Sequence, residues 1–78
     1  MVATILGIQD IDFATDEGVH VEGRNLYLAF NNRYVIGKKT NKFFVGSKFK
    51  DIFPELIVDQ EISIDFNENG KIDNIDIL

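Results

Sequence analysis

The sequence predicts a small all-β domain, a five-stranded OB-like Greek-key barrel over residues 1–78 with one short helix between strands 3 and 4. Three observations lead there. Apolar residues recur at every second position in several short runs, Gly, Asn and Asp separate those runs, and helical spacing appears only around Pro54. An SH3-like barrel shares these features and is the alternative fold. At 78 residues and 45% hydrophobic content there is material for one core and one domain, because so short a chain buries only about 60% of its unfolded surface. With no cysteine and one histidine, neither disulfides nor a thiolate or histidine zinc cluster can supplement that core.

Each element has its own local reason. In the first run Leu6 and Ile8 share one phase and Ile11 and Phe13 the other, which predicts a bulge near Gln9–Asp10 in a long bent strand. Thr15–Asp16–Glu17–Gly18 is a turn, with Gly18 available for positive φ, and the next strand starts at Val19. After Gly23, Leu26, Leu28 and Phe30 alternate with Asn25, Tyr27 and Ala29, so Tyr27 should face outward. Asn31–Asn32 breaks that strand, and Gly37 to Asn41 is a lysine-bearing loop ahead of a strand at Lys42–Val45. Ser47 is placed to cap a helix in which Phe49, Ile52, Phe53 and Leu56 fall at helical spacing, limited by Pro54 to one or two turns. Ile62, Ile64 and Phe66 alternate, Asn69–Gly70 suits a type I′ turn, and the phase change between Ile72 and Ile75 predicts a second bulge near Asp73–Asn74.

The net charge of −5 argues against a generic nucleic-acid binder, yet the charges are segregated. Met1 to Asn32 holds five acids and the base Arg24; Asp51 to Leu78 holds eight acids and the base Lys71. Between them Arg33, Lys38, Lys39, Lys42, Lys48 and Lys50 occupy an acid-free stretch interleaved with Tyr34, Phe43, Phe44 and Phe49. Exposed rings on which bases stack, beside cations that follow the phosphates, make a single-strand platform. Ordinary core packing with solvated lysines explains the same pattern, since alternation sends only one of Phe43 and Phe44 outward.

Phe13, Thr15, Gly18, Val19, Gly23, Leu28, Tyr34 and Val35 together resemble the gene V type of filamentous-phage single-stranded DNA-binding proteins. The resemblance covers residues 13–35 and implies a small dimeric OB-like barrel from a phage or mobile element. It implies binding roles for Tyr34, which falls on an aromatic position, and Arg24, which falls on a basic one; Tyr27 lies one position from a second aromatic. Where the family has arginines at this hairpin tip, the present chain has Asp16 and Val21. Binding is therefore redirected toward the 33–50 stretch, and the candidate nucleic-acid-binding residues are Arg24, Tyr27, Arg33, Tyr34, Lys38, Lys39, Lys42 and Phe44.

A second motif runs from Asp65 to Asp76 and resembles a calcium loop of EF-hand or dockerin type, with Asp65, Asn67, Asn69, the Lys71 carbonyl and Asp76 as oxygen ligands. The strand pattern before it, and Asp in place of the usual bidentate Glu, favour a hairpin instead. His20 has no Cys, second His or triad partner in the sequence, and the carboxylate pairs Asp10/Asp12 and Asp16/Glu17 read as acidic turns. No enzyme and no cofactor are expected. The opening residues lack a basic n-region, and no apolar run approaches the roughly 20 residues of a membrane helix, so the expectation is a cytoplasmic protein with no membrane partner. The function expected is low-specificity binding of single-stranded nucleic acid by a homodimer. An acidic protein-interaction or nucleic-acid-mimic module and a calcium-binding domain are the alternatives.

Overall fold

Five strands account for most of the chain in the computed structural model, which describes residues 1–78. They are β1 (Val2–Ala14), β2 (His20–Asn31), β3 (Lys38–Gly46), β4 (Glu61–Phe66) and β5 (Ile72–Ile77). All five join one antiparallel sheet in the order β3-β2-β1-β4-β5. The sheet curls, so that Phe43 on β3 and Phe66 on β4 meet with ring centroids 5.3 Å apart, and Lys48 Nζ just after β3 lies 3.8 Å from Asp73 Oδ1 on β5. No ladder joins β3 to β5, however, so the two edges approach without the hydrogen bonding that would seal a barrel. No helix is long and apolar enough to cross a membrane.

The concave face holds the core. Ile5, Leu26, Leu28, Val45, Ile62 and Ile64 are almost wholly enclosed, with Phe30, Ile72 and Ile75 around them. The bulge in β1 falls at Leu6, because Ile5 opposes Leu28 and Gly7 opposes Tyr27. That corrects the expected position near Gln9–Asp10. The slip inserts one residue, which lets Ile5 and Ile8 both face the core while Ile11 and Phe13 face outward. The second bulge lies where expected, with Asp73 unpaired between the Asp65–Asn74 and Phe66–Ile72 pairs.

The expected helix between β3 and β4 is replaced by two single 3-10 turns, Ser47–Phe49 and Phe53–Glu55. Every backbone bond there spans three residues: Lys50 donates to Ser47, Ile52 to Phe49, Phe53 to Lys50, Glu55 to Ile52 and Leu56 to Phe53. Pro54 brings no N–H for a bond four residues back, and the segment is too short to offset the cost of nucleating an α-helix. Ser47 makes no side-chain cap. The apolar spacing still serves packing, since Leu56 is buried and Phe49, Ile52 and Phe53 lie against the core.

Two hairpins share one construction. Gly18 N–H donates to Thr15 and Thr15 N–H to Val19, while Gly70 N–H donates to Asn67 and Asn67 N–H to Lys71. In each the glycine adopts positive φ, +82° at Gly18 and +75° at Gly70. The β4–β5 turn is therefore not type I′, which would need Asn69 at positive φ as well. It is a four-residue turn closed by a left-handed glycine.

Candidate nucleic-acid interface

Strand alternation and register decide which side chains share a surface. On the convex face of β1, β2 and β3, Gly7 opposes Tyr27 and Tyr27 opposes Lys42; Gln9 opposes Asn25 and Asn25 opposes Phe44; Asn31 opposes Lys38. Thr4, Ile11 and Phe13 of β1, Val21, Gly23 and Ala29 of β2, and Thr40 and Gly46 of β3 complete it. None of these residues is acidic. The carboxylates of the same hairpin, Asp10, Asp12 and Glu22, fall on the other face.

Two exposed rings lie on the acid-free face. Tyr27 is 41% and Phe44 48% exposed. Tyr27 packs over Gly7, its Cδ2 3.6 Å from where a Gly7 Cβ would stand, and its hydroxyl donates to Gln9 Oε1 at 3.2 Å. Phe44 lies across Gly23, with ring carbons 2.7 and 2.8 Å from the position of a Cβ there. Each ring thus rests on a glycine beneath it. Lys42 carries no carboxylate partner, and Lys38 reaches only the Asn31 carboxamide oxygen.

The structure divides the remaining expected residues. Arg24 is not available to a ligand: its Nε donates to Asp10 Oδ1 at 2.7 Å, its Nη1 to the Phe53 carbonyl at 2.7 Å, and its guanidinium stacks 5.0 Å from the Phe53 ring centroid. It ties the 3-10 segment to the hairpin, so the cation that the resemblance assigns to binding is already engaged within the fold. Lys39 lies on the opposite face of β3 from Lys38 and Lys42, beside Phe30 in register. Arg33 and Tyr34 occupy the β2–β3 loop, where the Arg33 guanidinium covers the Tyr34 ring at 4.8 Å and donates to its hydroxyl. Tyr34 is 81% exposed, so it is not core. The glycines under Tyr27 and Phe44 are a signal that sequence reasoning missed, because only the strand register brings them beneath the rings.

The Asp65–Asp76 segment forms the closing hairpin. Asn67 Oδ1 accepts the N–H groups of Asn69 and Lys71 at 2.9 and 3.0 Å, and Asp76 lies within the ladder opposite Ser63, away from the turn. Two of the five expected oxygen ligands, Asn67 Oδ1 and the Lys71 carbonyl, thus hold the turn of a hairpin together. Millimolar calcium is expected to leave the melting temperature unchanged, whereas a site occupied at 100 times its dissociation constant would add about 2.7 kcal/mol. An upward shift with calcium but not magnesium contradicts this.

At the hairpin end, His20 Nε2 hydrogen-bonds Asp12 Oδ1. That bond and the Asp12 charge, with a smaller contribution from Glu22, raise the His20 pKa above its ordinary 6.5. A raised folded-state pKa means that the stabilisation is fully present below the unfolded value and is lost as pH rises through the folded one. An NMR titration should place His20 above 6.5 and Asp12→Asn should return it; an unchanged pKa in that variant refutes the pairing. No family model, curated protein or solved structure matches this chain.

Proposed function

We propose that this protein is a non-enzymatic, low-specificity binder of single-stranded nucleic acid, using the convex face of β1–β3. The observation that carries the reading is that the convex side of β1–β3 holds no acid, with two exposed rings beside Lys42 and Lys38 farther along the same strand, and meets its first carboxylate only at Glu61 of β4, opposite Thr4, in a chain of net charge −5. Bases stack on Tyr27 and Phe44, Lys38 and Lys42 follow the phosphates, and Arg33 and Tyr34 extend the strip beyond the Asn31–Lys38 pair. The resemblance of residues 13–35 to the gene V type supports the same reading. So does the strand order, which is that of an OB-type barrel with its seam at β3 and β5. We further propose that two copies pair through the projecting β1–β2 hairpin, whose Phe13 and Val19 are more than half exposed.

A fluorescent thymine oligonucleotide tests it. Binding should appear at low salt and weaken as salt rises, each neutralised phosphate contributing about −0.7 to the log–log slope. Lys38→Ala with Lys42→Ala should flatten that slope by about 1.4, on the same scale of about 0.7 per contact. Lys71→Ala, in the closing hairpin, should leave it unchanged. Absence of binding at low salt by folded protein defeats the proposal. It would favour the protein-interaction or nucleic-acid-mimic alternative, to which the row Asp10, Asp12 and Glu22 on the opposite hairpin face is suited.

A further inference from the structure

A cleft of about 150 Å³ opens where β3 faces β4 without pairing. Its floor is aromatic: Phe30, Phe43 and Phe66, with Phe30 and Phe43 edge to face at 5.9 Å. Met1 closes one side, its ammonium donating to the Ile64 carbonyl at 2.9 Å. The rim is Asn32, Lys39 and Asn41.

The rim offers free donors. Asn32 Oδ1 accepts the Tyr34 N–H and Asn41 Oδ1 accepts the Lys42 N–H, both at 2.9 Å. Neither carboxamide NH₂ has a hydrogen-bond partner within the protein, so both remain free to donate. Lys39 has no carboxylate partner, and no acid lines the cleft. A space of roughly 150 Å³ with apolar walls holds one benzene-sized ring. The matching ligand is a single flat ring whose edge carries acceptors and which bears an anion.

We propose that this cleft binds one pyrimidine nucleotide of the thymine or uracil type. The ring packs on the phenylalanine floor, its two carbonyl oxygens accept from the Asn32 and Asn41 amides, and its phosphate meets the Lys39 ammonium. Adenine fits less well, because its exocyclic NH₂ would face amide donors and its double ring exceeds the space. The site is separate from the convex face: Lys39 and Asn41 alternate with Lys38 and Lys42 along the edge strand, so either site can fail without the other.

The test is an NMR titration of the folded protein with thymidine monophosphate, observing the side-chain NH₂ signals of Asn32 and Asn41. Saturable shifts at both are expected, with at least fivefold weaker binding for thymidine, adenosine monophosphate and inorganic phosphate. Lys39→Ala should weaken binding at least fivefold and Lys50→Ala, beyond the far end of β3, should leave it unchanged. Asn41→Asp keeps an oxygen for the Lys42 N–H but replaces the rim donor with a carboxylate, and it should abolish binding while melting as the parent does. The proposal is overturned by the absence of shifts at the two amides, by equal binding of inorganic phosphate, or by Asn41→Asp binding as well as the parent.

Discussion

Gly23→Val is expected to be the most damaging single change on the convex face, lowering stability by about 3 kcal/mol, the upper part of the range for overpacking. A Cβ at this position would stand 2.3 Å from the Val45 carbonyl oxygen and 2.7 Å from the Phe44 ring. The ring can swing aside, but the carbonyl belongs to β3 and moves only with its strand. Gly23 opposes both Ile11 and Gly46, so displacement opens the sheet on each side. For a domain of this size the loss corresponds to roughly 12–24 °C in melting temperature. Gly46→Val is the control, because a Cβ there meets nothing closer than the Phe44 ring at 3.9 Å. A melting curve for Gly23→Val within a few degrees of the parent would show that β3 yields at this point.

Tyr27→Ala combined with Phe44→Ala is expected to abolish measurable binding of an adenine oligonucleotide, which the β3–β4 cleft does not favour, at low salt. Alanine substitution of a stacking ring costs about 1–3 kcal/mol per base, so loss of both removes roughly 2–6 kcal/mol. The single variants should each weaken binding without changing the salt slope, since a stacked ring displaces no counterion. Both rings are nearly half exposed and sit over glycine outside the core, so their removal should leave the core of Ile5, Leu26, Leu28 and Ile62 intact. A melting curve for each variant separates lost binding from lost fold. Folded double variant that binds like the parent removes the convex face from consideration.

The sequence alone determined the alternating strands, the places of the two glycine turns, the Asp73 bulge and the outward direction of Tyr27, because period-two alternation and glycine at positive φ are local properties, but residues 37–41 read as a loop where β3 in fact begins at Lys38 and pairs with the end of β2. It misplaced the β1 bulge near Gln9–Asp10: the phase change between Leu6 and Phe13 can be relieved at several positions, and only burial of Ile5 against Leu28 selects Leu6. The helix read between β3 and β4 was wrong, since apolar spacing suits 3-10 turns equally and Pro54 lacks the donor that an α-helical bond would need.

The site depended most on tertiary structure. The 33–50 stretch reads as one basic-aromatic segment, yet alternation in β3 sends Lys38, Lys42 and Phe44 to one face and Lys39 and Phe43 to the other. Arg24 reads as a free cation until the fold brings Asp10 and the Phe53 carbonyl to it from distant parts of the chain. Charge and alternation are written residue by residue, so the sequence determines how many cations there are and which neighbours part company. Pairing between strands far apart in sequence decides which of those cations is neutralised, which ring rests on a glycine, and which donors are left facing an open cleft.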